Sequence, residues 1–194
     1  MDMLLIKNKT VLYLLVVIGV IMLLIIGYVG VIRFSMTRKL VQDDFSCITS
    51  AQALPVKGES MQGMISGGSS VQIRWGFYDC NAPKVGDIVA EQGASRGNIN
   101  LKIVRAVPGD DVEFVQQNAS WNILVNKQVV KTSSGEPYQL SDTDHALLML
   151  YFKYGGTVNA NNYLLLNNVA DTSRDSTFKG LVDQSSLLGK AVVQ

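Results

Sequence analysis

Ile99-Asn100-Leu101-Lys102-Ile103-Val104-Arg105-Ala106-Val107-Pro108-Gly109-Asp110 is the stretch that decides how the folded part of this chain reads. Alternation from Ile99 to Val107 is the period of a strand, and Pro108-Gly109-Asp110 is a turn that ends it. Lys102 is out of place in that run. It stands between Leu101 and Ile103, with Val104 and Ala106 following on its own face if the alternation holds. Two readings are open. Its stem packs and its amine reaches water at a sheet edge, or the amine is buried, loses its proton and becomes a base.

Working outward, short strand-like runs recur between turn signals. They cover Val71 to Tyr78, Gly86 to Gln92, Asp111 to Val115 and Tyr163 to Leu166, and Trp121 to Val130 reads as a hairpin with Asn126-Lys127 at its tip. Beyond the N-terminal segment no stretch holds a helical period, and residues 131–162 are the least readable. The expected fold is an all-β domain, a sandwich or small barrel.

The N-terminal segment differs in kind. Val11 to Ile32 contains no charge, Pro, Asn or Gln. As a helix it extends ~33 Å, enough for a hydrocarbon core of ~30 Å. Tyr13 and Tyr28 stand near its ends, and it runs into Arg33, Arg38 and Lys39 rather than a small-residue cleavage site. The chain therefore divides into a flank (1–10), a transmembrane anchor (11–32), a juxtamembrane connector (33–54) and a β domain (55–194). Lys7 and Lys9 precede the anchor and three basic residues follow it, so flanking charge does not favour a translocated C-terminus.

Composition removes several classes of function. Seventeen basic against 16 acidic side chains leave a net charge of +1, too even a balance for a nucleic-acid partner. One histidine, His145, and two cysteines do not make a typical zinc site, and no phosphate loop or dinucleotide fingerprint is present. No metal and no cofactor are expected. His145 reads as a surface or packing residue. Cys47 and Cys80 pair if the domain lies in an oxidising compartment and stay free thiols otherwise. Asn118-Ala119-Ser120 has the form of a glycosylation triplet.

Four segments, in order, carry a family likeness. They are Gly58-Glu59-Ser60-Met61-Gln62-Gly63-Met64, Val85-Gly86-Asp87-Ile88-Val89, the Lys102 to Asp110 stretch, and Asp171-Thr172-Ser173-Arg174-Asp175-Ser176, followed by Leu188-Gly189-Lys190-Ala191. Together they resemble the boxes of the bacterial type I signal peptidases, including relatives that process pilin subunits in conjugation. Those enzymes place a Ser-Met pair after a membrane anchor and a lysine six residues before Pro-Gly-Asp.

The resemblance implies a membrane-anchored serine endopeptidase that removes signal peptides from exported preproteins. Ser60 would be the nucleophile and Lys102 its neutral general base. Ser173 would orient the amine, with Asp175 supporting, and the Ser60 backbone N–H would serve the oxyanion. A serine needs a base within hydrogen-bond reach, and a lysine fills that role only when deprotonated. Met61 and Met64 are candidates for the wall of the substrate cleft. The implied partners are signal peptides and the lipid bilayer. The implied place is the inner or plasma membrane, with the catalytic domain on the extracytoplasmic (periplasmic) side. Gly63 replaces a frequent proline, Ile103 a frequent arginine, and Asn167-Asn168-Val169-Ala170 a Gly-Asp-Asn-Arg box. These departures bear on substrate range and leave open a peptidase dedicated to pilin or conjugation substrates, or a silent peptide-binding relative.

Overall fold

The computed structural model describes residue 13 and residues 16–28, 42–93, 95, 97–152, 156–170 and 175–193. The chain separates into two compact units, Met1–Asp43 and Asp44–Gln194.

In the first unit, residues 16–28 form helix α1. Its side chains are apolar all round and exposed, Ile21, Leu23, Leu24, Ile25 and Ile26 among them. Among the described residues no helix is long and apolar enough to cross a membrane. The ends of the expected 11–32 anchor lie outside the described residues.

The second unit is mostly β. Strands β1 (Ser50–Pro55), β2 (Ser70–Trp75), β3 (Ile88–Gln92), β4 (Ile99–Ala106), β5 (Val112–Gln117), β6 (Ser120–Val125), β7 (Gln128–Val129), β8 (Gln139–Leu140), β9 (Asn162–Leu166), β10 (Val182–Asp183) and β11 (Leu187–Val193) build two sheets. The larger has seven strands in the order β1-β2-β11-β3-β4-β9-β10. The smaller runs β5-β6-β7, with β8 also on β6. All these pairings are antiparallel.

The β6–β7 hairpin forms at the expected tip. Val125 pairs with Gln128, and Asn126 and Lys127 both take positive φ, as a two-residue turn that follows strand twist requires. Two elements depart from expectation. The connector expected over 33–54 ends in β1, which pairs with β2 along its whole length. The segment 131–162 holds a helix, α2 (Asp142–Met149), capped by Ser141, whose side chain accepts from the Asp144 backbone N–H. A second short helix, α3 (Ser176–Lys179), is capped by Asp175.

Burial follows the pleat. One face of the large sheet, through Val71, Ile73, Ile88, Ala90, Ile103 and Ala191, closes on Val56, Met61 and Ile65. Val89, Val104 and Leu165 project from the other face into a cluster with Phe77, Tyr163 and Leu187. The small sheet packs Ile123, Val130 and Tyr138 against Leu148, Phe152, Leu164 and Leu166. Each fully buried aliphatic side chain contributes about 1.5–3 kcal/mol.

A β-bulge in β4 changes one expected neighbourhood. Val104 pairs with Leu165 and Ala106 with Leu164, so Arg105 is the extra residue. Val104 keeps the face of Lys102. Ala106 turns to the opposite face and joins Leu164 in the core beneath the small sheet. The cause is the period-2 rule itself, since one inserted residue swaps every side chain after it.

Candidate active site

Ser60 lies on the turn between β1 and β2. Gly58, at φ +84°, lets the chain reverse two residues ahead of it. Backbone bonds from Gln62 to Glu59 (2.9 Å) and from Ile65 to Met61 (2.9 Å) tighten the turn behind it. The Ser60 carbonyl accepts from the backbone N–H groups of Asn168 (2.9 Å) and Val169 (3.1 Å). Among the described residues the Ser60 backbone N–H donates to no protein acceptor.

Asn168 is the second fixture of this turn. Its amide donates to the Gln62 carbonyl (2.6 Å) and to Ser133 Oγ (2.7 Å), while its Oδ1 accepts from the Ser133 backbone N–H (2.9 Å). The residues expected only as a departure from the family pattern thus tie the Ser60 turn to the 131–138 loop. Gly63 has the same explanation. Its φ is +88°, which proline's ring forbids, and a Cβ there would stand 2.6 Å from Ser133 Oγ.

Lys102 stands on β4 opposite Val89 of β3 and is buried. Its Nζ donates to the Leu101 carbonyl at 3.3 Å. Burial lowers the ammonium's pKa from the ordinary lysine value; the carboxylates of Asp175 and Glu91 oppose that fall, and the Lys179 ammonium adds to it. The Lys102 side chain is buried, so its amine does not reach water at a sheet edge.

Ser60 and Lys102 border one cavity of about 400 Å³. β1 and the turn after it contribute Leu54, Pro55, Val56, Lys57 and Met61; β2 contributes Val71 and Ile73; Gly97 and Asn98 precede Ile99, Asn100 and Leu101 of β4. Met61 is both cavity wall and core, at 2% exposure, whereas Met64 is 38% exposed and does not line the cavity. Among the described residues no hydrogen bond joins Ser60 Oγ to Lys102 Nζ.

Asp175 is buried, and its carboxylate acts on the Lys102 amine. It accepts from Tyr138 Oη (2.6 Å), the Asn167 backbone N–H (3.0 Å), and the Thr177 backbone N–H (2.9 Å) and hydroxyl (2.7 Å). Burial and the neighbouring Asp175 charge push the Tyr138 phenol far up, so it stays a donor. Ser173 lies outside the described residues. Sequence reasoning missed Tyr138, Glu91 and Lys179. No local pattern marks them, because they reach this region through sheet register and the loop ahead of α3.

Cys47 and Cys80 form a disulfide, Cα to Cα 6.0 Å. His145 is a packing residue on α2, stacked on Trp121 with ring centroids 3.7 Å apart and edge-on to Phe114.

The chain is 28% identical to signal peptidase IB of Staphylococcus aureus strain COL over 147 residues, 70% of this chain and 72% of the relative, and equally so to that of strain N315. A solved signal peptidase I from Enterococcus faecalis V583 aligns at a TM-score of 0.41 and 21% identity, covering 57% of this chain and 97% of that one. The family model described as signal peptidase, peptidase S26, matches residues 5–194. With a match of that extent, the chain belongs to the signal peptidase family.

Proposed function

We propose that this protein is a membrane-anchored serine endopeptidase that cuts signal peptides from exported preproteins, with Ser60 as nucleophile and Lys102 as general base. The observation that carries the reading is a buried lysine, its ammonium disfavoured, bordering the same cavity as Ser60. In the proposed step the neutral Lys102 amine takes the Ser60 proton as Oγ attacks the scissile carbonyl. The Ser60 backbone N–H stabilises the oxyanion, and the lysine then returns its proton to the leaving amine. The amine and hydroxyl tighten when substrate enters, as catalytic hydrogen bonds commonly do. Ser173 orients the amine. Asp175, fixed by four hydrogen bonds, anchors the start of α3 beside it.

The all-round apolar surface of α1 supports a lipid partner, since a helix of that kind needs apolar surroundings on every side. The disulfide supports an extracytoplasmic location, where such bonds persist. Small side chains, alanine above all, suit the cavity's short apolar wall at the positions preceding the cut.

Preprotein cleavage in lipid vesicles tests the chemistry. Ser60→Ala should abolish product, and Lys102→Arg should lose on the order of 10³-fold or more, because arginine keeps charge but cannot accept a proton. Wild-type rates in either variant overturn the reading. No product from the wild type itself would favour the silent peptide-binding relative, whose supporting observation is the Lys102 Nζ bond to Leu101 instead of to Ser60. A peptidase dedicated to pilin or conjugation substrates draws on Gly63 and Asn168 at the Ser60 turn. Depleting the protein and counting uncut preproteins decides: one or two mean a dedicated enzyme, many a general one.

A further inference from the structure

Glu91 is a carboxylate inside a sheet. It stands on β3 opposite Asn100, which makes Lys102 its diagonal neighbour on the same face, at a Cα separation of roughly 7–8 Å. The side chain is 3% exposed. Its Oε1 accepts from Lys179 Nζ at the end of α3, and its Oε2 is buried with no hydrogen-bond partner among the described residues. Among the described residues, the charged groups acting on the Lys102 amine are Asp175 from the loop before α3, Glu91 from β3 and Lys179 from α3. Lys57 borders the cavity from the β1–β2 turn. Lys190 of β11 shares the sheet face across Val89 and pairs with Asp87. β9 presents only apolar residues alongside. Asp171 and Arg174 lie outside the described residues.

A lysine that must be neutral is badly served by two carboxylates. Each favours the ammonium. Asp175 has a structural task, fixing α3 and Tyr138. Among the described residues Glu91 has no bond to the sheet side chains around it, and its partner is a cation, Lys179. A buried ion pair is weak as a stabilising device, because desolvation offsets most of the attraction. Its effect on a third charge nearby cancels only while both partners are present.

Resting on the proposed Ser60–Lys102 mechanism, we infer that Glu91 and Lys179 are a positioning pair for the base: Lys179 neutralises the Glu91 carboxylate and so lets Lys102 stand deprotonated and ready to accept the serine proton. Exchanging one partner moves the pH at which the enzyme turns on. Exchanging both restores it.

The test is kcat/KM on a signal-peptide substrate from neutral to alkaline pH, with the full chain in lipid vesicles. Glu91→Gln should move the ascending limb to lower pH. Lys179→Met should move it to higher pH, with about a tenfold loss below the limb and recovery at the alkaline plateau. The E91Q/K179M double variant should return to the wild-type limb, and Lys179→Arg should never leave it. A purely structural pair would lower the plateau with the limb in place, and that result overturns the inference. Should Lys179→Met fail to fold by circular dichroism, Glu91→Gln decides alone, and an unmoved limb there is refutation. Failure of the underlying mechanism shows elsewhere, as a wild-type profile with no ascending limb or as an active Lys102→Arg enzyme.

Discussion

At the scale of single residues, the proposed base, Lys102, is also expected to weaken the fold. Lys102 has a folded-state value below the ordinary 10.5, first through burial. As pH falls below 10.5 the unfolded chain takes a proton that the folded chain refuses, so stability drops until pH reaches the folded value, and below that the cost is constant. Lys102→Met should therefore be inactive yet more stable than wild type at neutral pH. The gain should shrink as pH rises and vanish above 10.5. Thermal melts of the pair across pH check this, and an equal or lower melting temperature at neutral pH would refute it. Ser60→Ala, by contrast, removes a half-buried hydroxyl with no side-chain bond among the described residues and should move stability by less than about 1 kcal/mol.

Among elements, the Ser60 turn is the one whose shape matters most, and glycine sets it. Gly63 and Gly68 share the same backbone region, φ +88° and +82°, but only Gly63 has neighbours where a Cβ would go. Alanine at Gly68 should cost about 1 kcal/mol of backbone strain and leave activity intact. Alanine at Gly63 adds a clash with Ser133 and Asn168, and should cost more stability and also activity, as both partners brace the turn. Chemical denaturation and cleavage assays on the two variants separate strain from displacement. The same scale shows what can be read from sequence. β3, β4 and the β6–β7 hairpin were legible because their alternation reflects one buried face and their turns need particular residues. β1 was hidden. It is an edge strand of Ser, Ala, Gln, Leu and Pro with five of its six residues exposed, so no buried face imposes a pattern. α2 was hidden for a related reason: Leu148 is its only buried residue, too few to mark a helical period, although Ser141 with Asp144 three positions on was a usable capping signal. Among the candidate site residues, Ser60, Lys102 and Asp175 could be singled out in the sequence because fixed spacings surround them. Glu91 and Lys179 could not, since 88 positions separate two side chains that meet only once β3 and α3 are in place.

For the whole molecule, the disulfide bears on where the protein is proposed to work. Cys47–Cys80 closes a loop of 33 residues, and Asn81 reinforces it through bonds to the Asp44 backbone N–H (2.8 Å) and carbonyl (2.6 Å). Cys47→Ser with Cys80→Ser should cost about 2–4 kcal/mol. Denaturant melts with and without reductant check this, and coincident curves would refute it. An impermeant thiol reagent added to intact cells after mild reduction should label the wild type and spare the double serine variant. Labelling that requires lysis would place the domain on the cytoplasmic side. The same bond also sets a path for mechanical load. On the proposed reading, a protease tethered at one end is tugged whenever its substrate or its membrane moves, and β1, as an edge strand, would be the first to peel, pulling the Ser60 turn with it. With Cys47 welded to Cys80 beyond β2, a pull arriving from the N-terminal side bypasses β1 and enters the sheet behind it. Under tension the reduced protein should lose its cutting geometry at forces the oxidised one withstands.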